Sequence, residues 1–299
     1  MKPTGKYGPV WTAMVTPFQS TGAIDYQQTE QLIEHLIENG TDVLIVAGTT
    51  GESPLLSKEE KLELFAFCVK QANGRAAVVA GTGSNDTHAS VELTKAAEKT
   101  GVDGVMLVTP YYNKPSQQGL FCHFSEIANE TNLPVMLYNV PGRTGVNLEA
   151  ETTIALANVN NIVAIKEASG NLEQIAAIIE HTPASFAVYS GDDSMTLPIL
   201  AIGGDGIVSV ASHLIGKEMQ AMIGAFQAGE NGKAAMMHRK LLPVMQALFL
   251  APNPACVKYA LNKNGIDVGE VKPPLAPVND QEKAVVDQAL ATINRDNVI

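Results

Sequence analysis

The sequence predicts an α/β protein, a (β/α)8 TIM barrel with a C-terminal helical appendage. Eight short apolar runs, rich in β-branched residues, recur roughly every 20 to 35 residues, which is the length of a βα unit. Each run leads into a glycine-rich or polar turn and then into a helical pattern, an alternation typical of parallel α/β folds. An open doubly wound sheet is the alternative, but its usual fingerprint, GxGxxG after the first strand, is absent.

The strands and helices follow from local patterns. In TEQLIEHLIENG the apolar residues share one helical face, and Gly40 is a natural C-cap. Ser57, with Glu60 three residues later, forms a capping box before the second helix, and Asn85-Asp86 opens the third. The eight predicted strands are Pro9–Val15, Val43–Ala47, Ala77–Ala80, Gly104–Val108, Val135–Tyr138, Ile162–Ile165, Phe186–Tyr189 and Gly206–Val210.

The domain organisation is predicted to be simple. Residues 1–213 form the barrel, and residues 214–299 form a helical segment that packs on it. No linker, low-complexity tract or block of charge separates the two parts. We therefore expect the helical segment to be part of the same compact unit.

Composition restricts the class of protein. The chain has 299 residues, of which 45% are hydrophobic, and a formal net charge of −11, so it can build a core and is a poor candidate for binding nucleic acid or anionic membrane. Cys68, Cys122 and Cys256 are widely spaced and odd in number, which predicts free thiols in a reducing compartment. With no signal-peptide pattern and no long apolar span, a cytoplasmic location is expected.

In such a barrel, chemistry is expected at the C-terminal ends of the strands. These ends carry hydroxyls, one arginine and one lysine, but no cluster of metal ligands, so no metal site is predicted. The candidate residues are Thr49, Thr50, Tyr111, Tyr112, Tyr138, Arg143, Lys166, Asp192 and Asp193.

In NNIVAIKEASGN, Lys166 interrupts a run that otherwise predicts a buried strand. By period-2 alternation Lys166 shares a face with Ile162 and Ala164. If Val163 and Ile165, on the opposite face, pack on the helices, Lys166 points into the barrel mouth. Burial there would lower the pKa of its amine and make it a nucleophile toward carbonyls. The alternative is a strand-end lysine with a buried stem and a solvated ammonium.

The other candidates also have purely structural interpretations. Thr49-Thr50 could cap a turn, or bind phosphate through backbone N–H groups, although no P-loop pattern is present. Tyr138 could be a core tyrosine with its hydroxyl at the rim, and Arg143 a solvated loop residue. Asp193, which precedes a helical stretch, is predicted to be the N-cap of that helix.

Several motifs resemble those of the dihydrodipicolinate synthase (4-hydroxy-tetrahydrodipicolinate synthase) family. GTTGES, TPYYNKPSQQGL, YNVPGRTG, IKEASGNL, SGDDSMTLP and GGDGIVSV follow one another from Gly48 to Val210. TAMVTPF and NPACVKYAL also fit, so the resemblance covers nearly the whole chain. The GxTGE turn and the strand-six lysine mark the wider pyruvate-dependent aldolase superfamily, whereas YNVPGRTG and TPYYNKPS are more specific to the synthases.

The resemblance implies a lyase of diaminopimelate and lysine biosynthesis that needs no cofactor beyond its own covalent intermediate. Lys166 would form a Schiff base with pyruvate, and the derived enamine would add to the aldehyde of aspartate semialdehyde. The amino group of that second substrate would then close the ring and release Lys166.

The resemblance also implies roles for the neighbouring residues. Tyr138 would donate and accept protons in a hydroxyl relay with Thr49 and Tyr112, the tyrosine coming from a neighbouring subunit. Thr50 would hold the pyruvate carboxylate and Arg143 the semialdehyde carboxylate. Gly191 and Val208 would line the pyruvate pocket. A homo-oligomer is therefore expected, by resemblance a tetramer built as a dimer of dimers.

Two other functions stay open at this stage. The first is another aldolase on the same scaffold, such as N-acetylneuraminate lyase or a keto-deoxy-sugar aldolase, although Arg143 favours a short aldehyde that bears a carboxylate. The second is a barrel that has lost catalysis and serves as a binding protein. The presence of all the implied catalytic residues argues against this second function.

Many members of the family are inhibited by lysine at a dimer-interface site. This chain keeps Ser53, Asn85 and Tyr111 of that site, but Ala89 replaces an acidic residue on the third helix. It also departs from the family in the segment after the GTTGE turn, at Pro54, Lys58 and Lys61. Because the effector's ammonium would find two lysines and no countercharge, weak or absent inhibition is expected.

Overall fold

The computed structural model describes residues 7–295. Eight parallel strands pair in chain order, and the last pairs with the first, so the sheet closes into a barrel and the predicted fold is confirmed. The strands are β1 Val10–Ala13, β2 Val43–Val46, β3 Ala77–Gly81, β4 Gly104–Val108, β5 Val135–Asn139, β6 Ile162–Glu167, β7 Ala187–Ser190 and β8 Gly206–Ser209.

Helices follow the strands around the barrel and continue after β8. Ser57 and Glu60 form the predicted capping box, and Asp86 caps the third helix. The helices are α1 Tyr26–Glu38, α2 Lys58–Ala72, α3 Thr87–Glu98, α4 Gln117–Asn129, α5 Pro141–Thr144, α6 Ala150–Leu156, α7 Leu172–His181, α8 Thr196–Ala201, α9 Ser212–Gln227, α10 Asn231–Ala247, α11 Ala255–Lys263 and α12 Asp280–Arg295.

Side chains of the strands divide between two hydrophobic cores. Along β2, Leu44 and Val46 pack with residues of the surrounding helices, whereas Val43 and Ile45 pack with residues of other strands. The second set fills the interior of the barrel, as period-2 alternation requires. Trp11 and Tyr189 belong to this interior core, with ring centroids 4.6 Å apart.

The alternation is interrupted once, at the start of β6. The register of β5 and β6 shifts there, so that Val135 pairs with Ile162 but Met136 pairs with Ala164. Ile162 consequently packs with the helices, and Val163 is 37% exposed. The expectation that Ile162 shares a face with Lys166 was therefore wrong. From Ala164 onward the alternation is regular, and Ile165 faces the helices as predicted.

The chain after β8 folds back on the barrel. Helix α9 packs against β1, and α10 packs against α9 and α12. Phe18, after β1, donates its backbone N–H to the carbonyl of Val268 at 3.2 Å. From these contacts we propose that residues 214–299 pack on the barrel, as the sequence predicts. No helix among residues 7–295 combines the length and apolarity that a membrane crossing requires.

Candidate active site

A cavity of about 360 Å³ lies at the C-terminal end of the barrel. Seven of the residues named from the sequence line it, namely Thr49, Thr50, Tyr138, Arg143, Lys166, Gly191 and Asp192. They come from loops or strand ends after β2, β5, β6 and β7, which meet here because the strands are parallel. The closed barrel thus brings together residues that are far apart in the sequence.

Lys166 is the buried amine of this cavity. It lies near the end of β6, is 5% exposed, and its Nζ is 4.2 Å from the centroid of the Tyr138 ring. Burial lowers the pKa of Lys166 to about 7; the Asp193 carboxylate opposes this shift and the Arg143 charge adds to it. A substantial fraction of the amine is therefore neutral near pH 7, as a nucleophile toward carbonyls must be.

The carboxylate that opposes the lowering of the Lys166 pKa belongs to Asp193, for which the sequence predicted a different role. The prediction that Asp193 is a helix N-cap was wrong. Asp193 is the first residue of a short 3-10 helix, Asp193–Met195, and the N-cap is Asp192, which accepts a hydrogen bond from the backbone of Ser194 at 2.8 Å. Asp193 is 2% exposed and accepts from the Ser209 hydroxyl and from the backbone N–H groups of Val210 and Ala211. It thus joins the loop after β7 to the start of α9.

Tyr138 and Thr49 form the hydroxyl pair of the site. Tyr138 is 5% exposed; burial raises the pKa of its phenol, while the charge of Arg143 and a hydrogen bond with Thr49 oppose that rise. The phenol is therefore neutral at physiological pH. A neutral phenol bonded to a hydroxyl can both give and take a proton, which is what a relay requires.

The position of Gly191 tolerates no side chain. A Cβ there would lie 3.1 Å from Cε of Lys166 and 2.7 Å from Cβ of Ala168. Glycine at this position therefore leaves space for the aliphatic part of the Lys166 side chain. Val208 is buried in the barrel interior, and Val210 lines the cavity. A contact of Val208 with pyruvate stays a prediction.

The two adjacent tyrosines of TPYYNKPS have different surroundings. Tyr111 lines a second cavity of about 260 Å³, which shares Thr49, Tyr138 and Arg143 with the first. Tyr112 is 89% exposed, has a positive φ of 74°, and lines neither cavity. Within one chain, therefore, the structure does not bring Tyr112 to the other predicted relay residues.

The second cavity also contains part of the predicted effector site. Ser53 and Tyr111 line it together with Lys61, whose pKa is lowered by burial. Asn85 is linked to the tyrosine loop through its carbonyl, which accepts from Asn113 Nδ2 at 2.8 Å. Ala89 is exposed on α3. Lys61 thus places a positively charged side chain at this cavity.

Sequence reasoning missed the contribution of the C-terminal segment to the site. Met245, Gln246, Phe249 and Asn253 all line the cavity of Lys166. Asn253 opens the motif NPACVKYAL, which was the only signal for it. Among residues 7–295, no group of three or more His, Cys, Asp or Glu side chains could hold a metal ion.

Comparison with known proteins identifies the family. The model of the dihydrodipicolinate synthetase family matches residues 6–293. The chain is 59% identical over 283 residues to 4-hydroxy-tetrahydrodipicolinate synthase 1 of Halalkalibacterium halodurans, covering 95% of this chain and 96% of the relative. It is 58% identical over 288 residues to 4-hydroxy-tetrahydrodipicolinate synthase of Bacillus subtilis, covering 96% and 99%.

Solved structures agree with this result. Dihydrodipicolinate synthase from Bacillus anthracis matches with a TM-score of 0.94 and 53% identity, covering 96% of this chain and 98% of that one. The enzyme from Cyanidioschyzon merolae, solved with lysine bound, matches with a TM-score of 0.95 and 48% identity, covering 97% and 99%. The buried lysine at the mouth of a closed barrel and the whole-length similarity lead to one conclusion: this chain belongs to the dihydrodipicolinate synthetase family.

Proposed function

We propose that this chain condenses pyruvate with aspartate semialdehyde to 4-hydroxy-tetrahydrodipicolinate, with pyruvate carried as an imine on Lys166. The relatives named 4-hydroxy-tetrahydrodipicolinate synthase match almost their full length at up to 59% identity. The observation that carries the mechanism is the Lys166 amine, which is buried beside the Tyr138 phenol and has a pKa of about 7. The product places the enzyme in diaminopimelate and lysine biosynthesis.

The first half of the reaction activates pyruvate. The neutral amine of Lys166 attacks the keto carbon, and the keto oxygen leaves as water after proton transfers that involve Tyr138, whose ring lies beside the amine. The resulting protonated imine withdraws electrons from the methyl group. Loss of one methyl proton gives the enamine, a carbon nucleophile. Because the iminium is the electron sink, the step needs no further cofactor.

The second half forms the carbon–carbon bond and frees the enzyme. The enamine carbon attacks the aldehyde carbon of aspartate semialdehyde, whose oxygen takes a proton and becomes the 4-hydroxyl, and the imine is restored. The amino group of the semialdehyde then attacks the imine carbon, and the bond from that carbon to Lys166 breaks. The lysine amine takes back a proton, so atoms and charge balance over the cycle.

Substrate choice tests this function against its rivals. With pyruvate present, the purified enzyme is expected to consume aspartate semialdehyde, and to be inactive toward N-acetylneuraminate and keto-deoxy-sugar acids. Borohydride added with pyruvate should leave one reduced pyruvate covalently bound per chain. Cleavage of N-acetylneuraminate without turnover of aspartate semialdehyde would identify a different aldolase. Absence of any covalent adduct would instead indicate a non-catalytic barrel.

Arg143 is proposed to bind the carboxylate of aspartate semialdehyde. It lies on the short helix α5 and lines both cavities beside Tyr138. Arg143→Ala is expected to raise the KM for the semialdehyde about tenfold or more, because a hydrogen bond to a charged group contributes about 1.5–3 kcal/mol. Arg143→Lys, which keeps the charge but not the planar fork, should recover only part of the loss. Steady-state kinetics with each substrate varied in turn measures this. A rise confined to the pyruvate KM would assign Arg143 to the other subsite.

Tyr112 is proposed to complete the relay of a neighbouring subunit in a homo-oligomer, a tetramer of two dimers by family resemblance. Its phenol is almost fully exposed on a loop that also carries two prolines, Pro110 and Pro115. An exposed aromatic group on a rigid loop is suited to an interface. A Lys166→Ala chain and a Tyr112→Phe chain are both expected to have low activity alone.

Co-expression of these two variants provides the test. In a mixed dimer the Tyr112→Phe chain keeps its own lysine and receives the tyrosine of its partner, so we expect partial recovery of activity. Homo-oligomers of either variant are the controls. A mixed oligomer with no recovered activity, or a fully active monomer in sedimentation, would contradict the shared relay.

Lysine is expected to inhibit this enzyme weakly or not at all. The second cavity presents Lys61, and Ala89 on α3 offers no countercharge to the ammonium of the effector. Loss of one charged partner at a partly buried site costs about 1.5–3 kcal/mol, or roughly ten- to hundred-fold in affinity. An activity titration measures this, and Ala89→Glu is expected to strengthen inhibition. Half-inhibition of the unmodified enzyme at sub-millimolar lysine would show that another contact compensates.

A further inference from the structure

We infer that Asn253, in the segment between α10 and α11, is a positioning residue that turns the Thr50 hydroxyl toward the carboxylate of pyruvate. The inference rests on the proposed function and on the role that the family resemblance implies for Thr50, which is to bind that carboxylate. The two side chains are 203 residues apart in sequence and meet at the wall of the Lys166 cavity. Nothing in the local sequence around either residue predicts the contact.

The contact has a definite polarity. Asn253 Nδ2 donates to Thr50 Oγ1 at 2.9 Å, and the residues are 6% and 3% exposed. A hydroxyl has one hydrogen, and an amide nitrogen can only donate. Because Thr50 accepts from Asn253, its own hydrogen is free to be donated elsewhere. An ionised carboxylate is an acceptor only, so this arrangement presents to pyruvate the partner that it requires.

The turn that carries Thr50 is held by the same C-terminal region. Glu52 has a left-handed φ of 54°, and its carboxylate forms a buried ion pair with Lys258 at 2.7 Å. Its second oxygen accepts from the backbone N–H of Lys272 at 2.9 Å. Lys258 also donates to the carbonyl of Glu270 at 3.1 Å. These contacts hold Glu52 in place. If the Asn253 contact is removed, the turn therefore has little freedom to move in a way that would restore the orientation of the Thr50 hydroxyl.

A competing role is a direct contact with the second substrate. The Asn253 amide oxygen is buried and has no hydrogen-bond partner among residues 7–295. It could therefore receive a donor from bound aspartate semialdehyde. The two roles differ in the substrate whose binding responds and in whether the effect passes through Thr50, so kinetics can separate them.

A double-mutant cycle is the test. We expect Asn253→Ala to raise the pyruvate KM about tenfold, with kcat and the semialdehyde KM changed less than about twofold. Thr50→Val should raise the pyruvate KM at least as much. In the Thr50→Val background, Asn253→Ala should add almost nothing, because the group through which it acts is gone. Asn264→Ala, at an exposed position after α11, is the matched control and should match the unmodified enzyme.

Asn253→Asp keeps the shape of the side chain and provides a second variant. Its carboxylate accepts the Thr50 hydrogen and repels the pyruvate carboxylate, so we expect a larger loss than with alanine. Protonation of the aspartate restores a donor, so the pyruvate KM relative to the unmodified enzyme should improve as the pH falls. If Asn253 only stabilised the fold, the pyruvate KM of Asn253→Asp would not improve in this way at low pH. Thermal unfolding of every variant confirms that it is folded.

The possible failures are distinguishable. Additive effects of Asn253→Ala and Thr50→Val, or a rise confined to the semialdehyde KM, would overturn the positioning role but leave the proposed function intact. An unchanged pyruvate KM in Thr50→Val would overturn both the inference and the assignment of Thr50. Loss of the borohydride-trapped pyruvate adduct in the unmodified enzyme would overturn the proposed function itself.

Discussion

Replacement of Lys166 by alanine is expected to reduce turnover to the background of the uncatalysed reaction and to abolish trapping of pyruvate by borohydride. The reason is chemical: without the amine there is no imine, and without the imine the methyl proton of pyruvate is not acidic enough to be removed. The substitution removes the amine that interacts with the Asp193 carboxylate, but this carboxylate keeps three hydrogen bonds from Ser209, Val210 and Ala211. We therefore expect the variant to fold.

Intact-mass measurement after borohydride treatment checks the first part of this prediction, and a coupled assay checks the second. Lys217→Ala, at an exposed position on α9, is the control and should be trapped normally. An adduct of undiminished yield on Lys166→Ala, mapped to another lysine, would assign the nucleophile elsewhere.

The pH dependence of trapping gives an independent readout of the Lys166 environment. The pKa of this amine is lowered from about 10.5 to about 7, chiefly by burial. Only the neutral amine attacks pyruvate, so the trapping rate should rise as the pH increases through about 7 and level off above it. A solvated lysine would show the rise only near pH 10. A rate that keeps climbing above pH 9 would show that the amine is not desolvated.

Replacement of Tyr138 by phenylalanine is expected to lower turnover by about 10²–10⁴-fold while pyruvate binding is retained, the range typical of groups that transfer protons. The ring that packs beside Lys166 is kept, and only the hydroxyl that bonds to Thr49 is lost. Since the phenol acts on transition states for proton transfer, the loss should appear mainly in kcat.

Steady-state and single-turnover kinetics measure this effect. Tyr259→Phe, which removes a phenol that bonds to Asp287 at 3.1 Å in the C-terminal segment, is the matched control and should remain active. Full activity of Tyr138→Phe would exclude the phenol from the relay. An effect only on the pyruvate KM would assign it to binding.

Short-range patterns in the sequence were sufficient for the barrel and for the central residue of the site. The alternation of β-branched runs with helical patterns predicted all eight strands, because a strand buried on both faces has a recognisable local composition. The capping box of Ser57 and Glu60 was predicted because both partners lie within one helical turn. Lys166 was selected as the central candidate because a lysine within an apolar run is chemically unusual, although a strand-end lysine with a solvated ammonium stayed open as the alternative.

Such local patterns could not predict contacts between distant parts of the chain. The register shift at Ile162 depends on how β6 pairs with β5, so a period-2 argument applied to β6 alone placed Ile162 on the wrong face. Asp193 was predicted to be an N-cap because its actual partners, at the end of β8 and just after it, lie 16 to 18 residues further along the chain. The exposure of Tyr112 likewise followed only from the path of its loop in three dimensions.

The identity of the reactive groups was therefore present in the linear sequence, since strand period and residue chemistry are local properties. Their environment was a result of the closed barrel and of the C-terminal helices. Burial lowers the pKa of Lys166, and Asp193, Arg143 and Tyr138 become its neighbours only when the strands close. Asn253 reaches Thr50 only because the last third of the chain packs back on the turn after β2. Desolvation and contacts over more than 200 residues are properties of packing, which no local window of sequence contains.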